Sequence, residues 1–240
     1  MNVYSNTSEA YLGTLRDVLE NYEFRSSPRG QPIREKLDYS FRVLHPDSNT
    51  IVTNDTKRNE VIASYTAKEV QLYESCTNKA EDFGQASKFW LSLANPDGTV
   101  NSAYGHLIWK NRSHGSDFEL EKVHHPAFLD IDPSGGIYKM QPVRRTPWEW
   151  CVESLKRDKD TRQAVLRFSL PEHFWVGNKD QTCTLHGNFL IREDKLYFSV
   201  TMRSNDLVKG LVYDMPWFCG LMDKMVDELL PVYPNLTKGS

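Results

Sequence analysis

The chain has 240 residues, of which 39% are hydrophobic and 25% charged, a composition typical of a soluble protein with one domain. Its formal net charge of -3 argues against binding to polymeric nucleic acid, which needs a basic surface, but not against a small phosphorylated ligand. No apolar run is long enough to cross a bilayer, and the N-terminus lacks a secretion signal. The four cysteines are scattered without a Cys-x-x-Cys pair, so we expect reduced thiols in a cytoplasm.

The first half of the chain is predicted to be mainly helical. Apolar side chains recur on one face from Ser8 to Tyr22, which predicts an amphipathic helix. Glu23 to Arg34 follows as a loop rich in proline, glycine and arginine, and the alternation from Tyr39 to Leu44 predicts a strand. Helical spacing returns in two further segments, Asn59 to Cys76 and Lys88 to Ala94.

A strong helix start follows a long predicted loop. Turn-forming residues from Lys122 to Tyr138 predict that loop. Thr146 can cap the helix after it, Pro147 suits the first helical position, and Glu149 completes a capping box. This helix is predicted to end near Lys156.

The last third of the chain is predicted to contain strands and a final helix. Its three strands are predicted over Ala164 to Leu170, Thr182 to Ile191 and Leu196 to Met202, with a hairpin turn over Arg192 to Lys195. Helical spacing returns from Met215 to Leu230. Helices that flank several long strands predict a single layered α+β domain over residues 1–240.

One cysteine stands at a fixed distance from a polar motif. Cys183 lies twenty positions before the Arg-Ser-Asn-Asp block that begins at Arg203, and Gly210, Tyr213 and Asp214 follow that block. A lone cysteine in a partly apolar strand is more often a small buried side chain than a nucleophile. The predicted hairpin would nevertheless place Arg203 beside Cys183, where a guanidinium favours the thiolate and lowers the thiol pKa.

The spacing of these residues resembles the nucleophile and pyrimidine-binding core of the thymidylate synthase family. It is most similar to the branch that hydroxymethylates cytidylates. The resemblance implies that Cys183 adds to C6 of a pyrimidine, which makes C5 a carbon nucleophile. It also implies an α+β fold with a mixed sheet backed by helices. Thr184 stands where many methylating members have a histidine, and together with Asn205 it favours the hydroxymethylating branch.

The identity of residue 214 bears on which base is bound. Asp214 stands where uracil-specific members have asparagine, although an aspartate here could also be a helix N-cap before Met215. Uracil offers N3–H and O4, which suit an amide, whereas cytosine offers an N4 donor and an N3 acceptor. A carboxyl group can accept from N4 and share one proton with N3. Asp214 therefore predicts a cytosine base.

Three residues that precede Cys183 match residues of the family by their spacing along the chain. On their own, Glu69 would be interpreted as a solvated helix residue and Trp90 as a core residue. The resemblance implies that Glu69 is the general acid/base that holds a water molecule. It implies that Trp90 contacts the folate or the exocyclic methylene, and that Tyr104 relays protons at the base. The resemblance also assigns Gly210 and Tyr213, together with Glu69 and Trp90, to binding of the folate.

The resemblance also implies a set of nucleotide ligands within the chain. Arg29, in a proline-glycine loop, and Arg203 are matched to phosphate ligands, and a guanidinium suits a phosphate. Ser204 is expected to assist Arg203. Asp206 is expected to approach the base ring, beside Asp214.

A further phosphate ligand is expected to come from a second subunit. The resemblance matches Arg162 to the first of two adjacent arginines that family members donate across a dimer interface, and so implies a homodimer. The second position is Gln163 here. We expect that contact to be lost, or to be supplied by Arg144 or Arg145.

A possible metal site gains little support from the sequence. It would combine two adjacent histidines with two aspartates, His124, His125, Asp130 and Asp132, whose spacing matches no standard ligand pattern. We expect no metal. Glycine-rich loops that bind nucleotide cofactors are not present in the sequence.

Taken together, the resemblance implies a one-carbon transferase that uses 5,10-methylenetetrahydrofolate as co-substrate. The expected product is the 5-hydroxymethyl derivative of dCMP or CMP. The alternatives are methylation of dUMP or dCMP, and a non-catalytic relative that binds nucleotide or RNA. The expected location is the cytoplasm, or the host cytoplasm if the protein is phage-encoded, and both phage DNA modification and nucleoside-antibiotic synthesis use such enzymes. The family's C-terminal strand, with its sugar-binding His-x-Tyr pair, is expected to be absent.

Overall fold

The computed structural model describes residues 1–112 and 145–240, together with the backbone of residues 118–123 and 137–142. The helices are α1 (Thr7–Glu20), α2 (Thr56–Glu74), α3 (Ala80–Ala86), α4 (Phe89–Leu93), α5 (Tyr104–Trp109), α6 (Pro147–Arg157) and α7 (Val212–Leu229). The strands are β1 (Asn2–Tyr4), β2 (Phe24–Ser26), β3 (Ile33–Glu35), β4 (Phe41–Val43), β5 (Phe118–Val123), β6 (Ile137–Pro142), β7 (Val165–Arg167), β8 (Thr184–Arg192), β9 (Lys195–Met202) and β10 (Thr237–Lys238).

A four-stranded mixed sheet forms the centre of the described structure. Its strand order is β10-β9-β8-β7, with β10 parallel to β9 and the other neighbours antiparallel. The predicted hairpin is confirmed, because β8 and β9 pair from Thr184 opposite Met202 to Arg192 opposite Lys195. Its two turn residues, Glu193 and Asp194, have φ of 50° and 55°, the left-handed conformation that fits the twist of a two-residue hairpin.

Helices cover one face of this sheet, which confirms the predicted α+β class. Along β8, buried Phe189 and Ile191 alternate with partly exposed neighbours, so a single face of the strand is packed. That face meets α6 and α7, which contribute Leu155 and Met225, both fully buried, to the same core cluster. The rings of Phe189 and Phe198 stack with their centroids 4.0 Å apart and add a cross-strand contact.

Helix α6 begins as its sequence predicts. The Thr146 hydroxyl accepts a hydrogen bond from the Glu149 amide at 3.2 Å, and the Glu149 carboxylate accepts one from the Thr146 amide at 2.8 Å. These two bonds satisfy amides that the first turn leaves without helical partners. Pro147 occupies the first helical position, where its missing N–H costs no hydrogen bond.

A smaller hydrophobic cluster lies beside the main core. It joins α1, α2 and the start of α7 through buried Tyr11, Ile62 and Tyr213. Helix α2 contributes to both clusters, since Ile62 belongs to the smaller one and Tyr73 to the main core. Residues between these two positions on α2 therefore lie where the two clusters meet, and Glu69 is one of them.

Some predicted boundaries differ from the structure. The segment Glu23 to Arg34, predicted as a loop, contains most of the short hairpin formed by β2 and β3. The loop predicted over Lys122 to Tyr138 overlaps β5 and β6 at its two ends, because the alternating residues Phe118–Val123 pair with Ile137–Pro142. The residues between these strands lie outside the described part. None of the helices in the described part is both long and apolar enough to cross a membrane.

Candidate active site

Cys183 lies immediately before β8 and is partly exposed, rather than inside the strand as predicted. Arg203 holds the backbone on both sides of this position. Its amide donates to the Cys183 carbonyl at 2.9 Å, and its guanidinium donates to the carbonyls of Thr182 at 2.9 Å and Gln181 at 2.6 Å. The Nη2 atom of Arg203 is 3.8 Å from the Cys183 Sγ. The hairpin therefore brings Arg203 beside Cys183, as predicted.

A second arginine supports the loop that leads to the cysteine. Arg29 donates from its Nη2 to the Lys179 carbonyl at 3.1 Å. Its own backbone has φ 54° and ψ 29°, a left-handed conformation within the short turn Pro28–Gly30. Since a guanidinium carries five N–H donors, Arg29 and Arg203 both retain donors for an anion beside Cys183. Their role as phosphate ligands stays a prediction that this placement supports.

Arg203 lowers the pKa of the Cys183 thiol, as predicted, but the net shift is a rise. Burial raises the pKa above its ordinary value, and this effect exceeds the lowering by Arg203 and Arg29. Asp214 and Asp180 add to the rise because a nearby negative charge disfavours a thiolate. The sequence-based argument considered the neighbouring charge but not the loss of water. The thiol must therefore lose its proton when it reacts.

A buried aspartate connects the cysteine loop to α5. The Asp180 carboxylate accepts from the Ser102 amide at 2.8 Å and from the Ser102 hydroxyl, and the Asp180 carbonyl accepts from the Asn101 side chain at 3.0 Å. Tyr104 lies just beyond, and its hydroxyl oxygen is 3.0 Å from the Thr184 hydroxyl. Sequence reasoning missed Asp180, because its partners are almost eighty positions away and no local pattern indicates them.

Glu69 is almost fully buried on α2. Tyr65, one turn earlier, donates from its hydroxyl to Glu69 Oε1 at 3.2 Å, and Tyr73, one turn later, also bonds to the carboxyl group. Burial raises the Glu69 pKa to about 8, and the negative charge of Asp214 acts in the same direction. The Trp90 indole donates to the Tyr65 oxygen at 3.0 Å, so Tyr65 connects Trp90 to Glu69.

Aromatic rings surround this carboxyl group. Tyr73 stacks on Tyr104 with centroids 5.5 Å apart and planes 23° apart, and Tyr65 packs against Tyr213 at 4.5 Å. Burial raises the pKa of Tyr104 well above its ordinary value, so its phenol is neutral at physiological pH. Glu69 is thus a buried carboxyl group among tyrosine rings, where its protonation depends strongly on its neighbours.

Asp214 lies in the first turn of α7, two residues after its start, so it is not the N-cap that was considered. Asn205 donates to Asp214 Oδ2 at 3.1 Å. Burial raises the Asp214 pKa to about 6, and the Asn205 hydrogen bond lowers it. A β-carbon on Gly210 would lie 2.8 Å from the Asn205 side-chain oxygen and 3.4 Å from Asp214 Oδ2. Gly210 therefore provides room for this pair, while its assignment to the folate stays a prediction.

The remaining motif residues surround the start of α7. Asp206 accepts at Oδ1 from the amides of Val208 at 2.8 Å and Lys209 at 2.9 Å, and so caps the π-helical segment Leu207–Leu211. Its expected contact with the base ring is not tested by this geometry. Ser204 is exposed between Arg203 and Asn205. Tyr213 is buried and its ring packs against Tyr65, while its assignment to the folate stays a prediction.

Arg162 is separated from the residues around Cys183 of its own chain. It is exposed on the loop between α6 and β7, and the register of β7 on β8 places that loop toward the far end of β8 from Cys183. The side chain of Gln163 lines a groove with Arg145 and Arg167. Arg145 is therefore close to the position where a second arginine was expected, and Arg144 lies outside the described residues.

The described residues contain no group of three or more histidine, cysteine, aspartate or glutamate side chains that could hold a metal ion. The four residues of the possible metal site, His124, His125, Asp130 and Asp132, lie outside the described part of the chain. Their role is therefore neither supported nor opposed by the structure.

The raised pKa of Glu69 predicts a pH-dependent stability. Between its ordinary pKa of 4.5 and about 8, folded Glu69 keeps a proton that the unfolded chain has lost, so stability falls as pH rises through this range. Glu69→Gln should therefore be more stable than the wild type at about pH 8, and the difference should shrink toward about pH 5. Urea unfolding at several pH values measures this difference.

A matched control for this experiment lies on the same helix. Glu74 forms an ion pair at 2.9 Å with Lys224, and both side chains are more than 40% exposed. Because exposed pairs contribute little, Glu74→Gln should leave the pH dependence of stability close to that of the wild type. Equal pH slopes for Glu69→Gln and the wild type would contradict the assigned protonation of Glu69.

Comparison with known proteins agrees with this geometry. The family model described as thymidylate synthase matches residues 9–234. Deoxycytidylate 5-hydroxymethyltransferases of Enterobacteria phages T4, T2 and T6 are each 26% identical to the chain over 170 residues. The match covers 69% of this chain and 56% of each phage enzyme, so it spans little more than half of their length.

A solved structure supports the same fold. The thermostable thymidylate synthase A from Bacillus subtilis superposes with a TM-score of 0.54 and 13% sequence identity, over 92% of this chain and 73% of that protein. At this identity the likeness concerns the fold alone. The family match, by contrast, covers nearly the whole chain and includes the residues around Cys183, Glu69 and Asp214. The chain therefore belongs to the thymidylate synthase family.

Proposed function

We propose that the protein transfers a one-carbon unit from 5,10-methylenetetrahydrofolate to C5 of a cytidylate and then adds water, which gives a 5-hydroxymethylcytidylate. The observation that carries this proposal is the pair of Asp214 and Asn205, a carboxyl group with a raised pKa at the base-reading position. Asp214 is close enough to Cys183 and Glu69 to raise the pKa of both. One site therefore combines a nucleophile, a proton-transfer group and a reader of cytosine.

The nucleotide would be held at both of its ends. Arg29 and Arg203 bind the phosphate, because their guanidinium groups flank the loop that carries Cys183. At the base, Asn205 donates a hydrogen bond to Oδ2 of Asp214, which leaves Oδ1 for the substrate. With a pKa of about 6, the Asp214 carboxyl group can share one proton with N3 of cytosine and accept from the N4 amino group.

The reaction starts at the cysteine. The Cys183 thiol gives up its proton as Sγ bonds to C6, and the electron pair of the C5–C6 double bond moves to C5. Arg203 favours the departure of this proton by stabilising negative charge at the sulfur. Tyr104, which lies against Thr184, is placed to exchange a proton with the base or with water. C5 thereby becomes able to take up the one-carbon unit.

The residues of α4 fit a folate. Trp90 is held by its indole hydrogen bond to Tyr65, and its neighbours Phe89 and Leu91 are 60% and 51% exposed. Exposed aromatic and apolar side chains beside a polar pocket suit a flat ring system with a few polar edges. When bound, methylenetetrahydrofolate would supply the one-carbon unit to C5, and Trp90 would lie beside it. C5 would then lose its proton as the bond from the one-carbon unit to the folate nitrogen breaks, which would release tetrahydrofolate and leave an exocyclic methylene on C5.

The last step distinguishes hydroxymethylation from methylation. In its carboxylate form, which a pKa of about 8 leaves partly populated near neutral pH, Glu69 can hold a water molecule and remove its proton as the oxygen bonds to the exocyclic carbon. The electron pair of the double bond between C5 and the exocyclic carbon then forms the C5–C6 double bond, as Sγ of Cys183 leaves C6 with the electrons of the C6–S bond. Thr184 and Asn205, which differ from the pattern of methylating members, support this outcome.

We also propose a homodimer that acts in the cytoplasm. Arg162 lies toward the end of β8 that is remote from its own Cys183, which supports a role in the site of a second subunit. Phage DNA modification and nucleoside-antibiotic synthesis are both pathways that use such a product.

Analysis of reaction products by mass spectrometry tests the proposal. The protein is incubated with methylenetetrahydrofolate and, in separate reactions, with dCMP, CMP and dUMP. We expect a hydroxymethyl group on a cytidylate, and the better substrate identifies the sugar. A methyl group on dUMP would instead support the methylating alternative. The absence of both product and exchange of the C5 proton would support a non-catalytic nucleotide-binding relative.

A further inference from the structure

We infer that Tyr65 is a positioning residue that orients the Glu69 carboxyl group and connects it to Trp90. The role in catalysis rests on the proposed function, whereas the contact itself can be measured without activity. No feature of the sequence motif singles out Tyr65. Its spacing of four residues before Glu69 on a helix is the one local signal, because residues at that spacing are neighbours on the helix surface.

The direction of the Tyr65 hydroxyl follows from its two partners. The Trp90 indole nitrogen can only donate, so at 3.0 Å it must use the Tyr65 oxygen as acceptor. The Tyr65 proton is then free to point to Glu69 Oε1 at 3.2 Å. The indole, the phenol and the carboxyl group thus form a hydrogen-bond chain, in which each donor points toward Glu69. This hydrogen-bond chain engages Oε1 of Glu69 and orients the carboxyl group, to which Tyr73 also bonds.

The neighbouring groups keep Tyr65 in place. Its ring packs against Tyr213, with centroids 4.5 Å apart, and Tyr213 precedes the base reader Asp214. Burial and the negative charge of Glu69 raise the Tyr65 pKa well above its ordinary value, so the phenol keeps its proton at working pH. The titratable groups that act on Glu69 are Tyr65 and Tyr73 from α2 and Asp214 from α7. Of these, Tyr65 also accepts the hydrogen bond from the Trp90 indole.

A purely structural role for Tyr65 makes a different prediction. A core tyrosine would contribute to stability through its ring, and loss of its hydroxyl would not alter the protonation of Glu69. The Tyr65 hydrogen bond instead stabilises the charged form of Glu69 and opposes the rise in pKa caused by burial. Removal of the hydroxyl should therefore raise the Glu69 pKa further and leave its carboxyl group without a fixed orientation.

The test compares Tyr65→Phe with the wild type. We expect kcat for hydroxymethyl transfer to fall at least about tenfold, while KM for the nucleotide changes less than about twofold. In the same variant, the titration of Glu69 should move to higher pH. This titration is followed by NMR of carboxyl-labelled glutamate, and Glu69→Gln identifies the signal by its loss.

Tyr233→Phe is the matched control. The Tyr233 hydroxyl donates to the Leu155 carbonyl at 2.7 Å, so this variant also loses a hydroxyl hydrogen bond, but at a place remote from the site residues. It should lose some stability and keep both kcat and the Glu69 titration of the wild type. If Tyr65→Phe behaves like Tyr233→Phe in these two measurements, the inference is overturned.

A second variant covers the case in which Tyr65→Phe does not fold. Incorporation of 3-fluorotyrosine at position 65 keeps the shape of the side chain and makes its hydroxyl a stronger donor. The Glu69 titration should then move to lower pH, because a stronger donor favours the carboxylate. An unchanged titration would overturn the inference. Failure of the wild type to form product would refute the proposed function but not the contact between Tyr65 and Glu69. The Glu69 titrations in Tyr65→Phe and in the 3-fluorotyrosine variant do not depend on turnover.

Discussion

Cys183→Ala should lower the formation of product by at least about a thousandfold for every nucleotide, because no other group can form the bond to C6. Binding of the nucleotide should change less than about threefold, since the phosphate and base contacts do not involve the sulfur. Exchange of the C5 proton should stop as well, because exchange requires the covalent adduct. Product analysis, calorimetry and proton exchange measure these three effects.

Cys219→Ala is the control for the loss of a cysteine. Cys219 is a buried thiol on α7, and burial raises its pKa to about 12, so it is unsuited to act as a nucleophile. This variant should lose stability, because a buried side chain becomes smaller, but should keep its turnover. Wild-type turnover by Cys183→Ala would exclude the covalent mechanism.

Asp214→Asn should change the preferred base from cytosine to uracil. An amide offers one donor and one acceptor to uracil, whereas for cytosine it cannot share the proton that Asp214 shares with N3. We expect kcat/KM for the cytidylate to fall at least about a hundredfold and that for dUMP to rise. Because the Asp214 pKa is about 6, cytidylate turnover by the wild type should change near this pH, and the variant should lose that change.

Asp223→Asn is the matched control for the base reader. Asp223 lies on the same helix and pairs with Lys238 at 2.6 Å, and both side chains are partly exposed. Its replacement should leave the base preference unchanged. Equal preferences in Asp214→Asn and the wild type would rule out Asp214 as the reader and would favour a different set of contacts at the base.

Local patterns were sufficient to predict most elements and several contacts. The capping box at Thr146 and the two-residue turn at Glu193 satisfy backbone groups within a few positions, so their sequence signals are complete. The contact of Arg203 with Cys183 follows from that hairpin. The short strands β2 and β3 escaped detection, because three-residue strands in a loop rich in proline and glycine give little periodicity.

Contacts between distant segments could not be predicted in the same way. Asp180 reaches Ser102, and Tyr65 reaches Trp90, across turns and helices whose relative positions depend on packing of the whole domain. Nothing in the neighbouring sequence of either residue indicates its partner. Gly210 was assigned to the folate from its register, and only the structure shows that it makes room for Asn205.

The sequence by itself determined the family and the α+β class, because these depend on residue type and spacing. From the same pattern it also predicted a nucleophile, an acid and a base reader, and these roles stay predictions. Only the tertiary structure decided how these groups are protonated. Burial raises the pKa of Cys183, Glu69 and Asp214, and its effect exceeds that of the neighbouring charges and hydrogen bonds. The loss of water around a group depends on how distant segments pack against it, which no local pattern of residues contains.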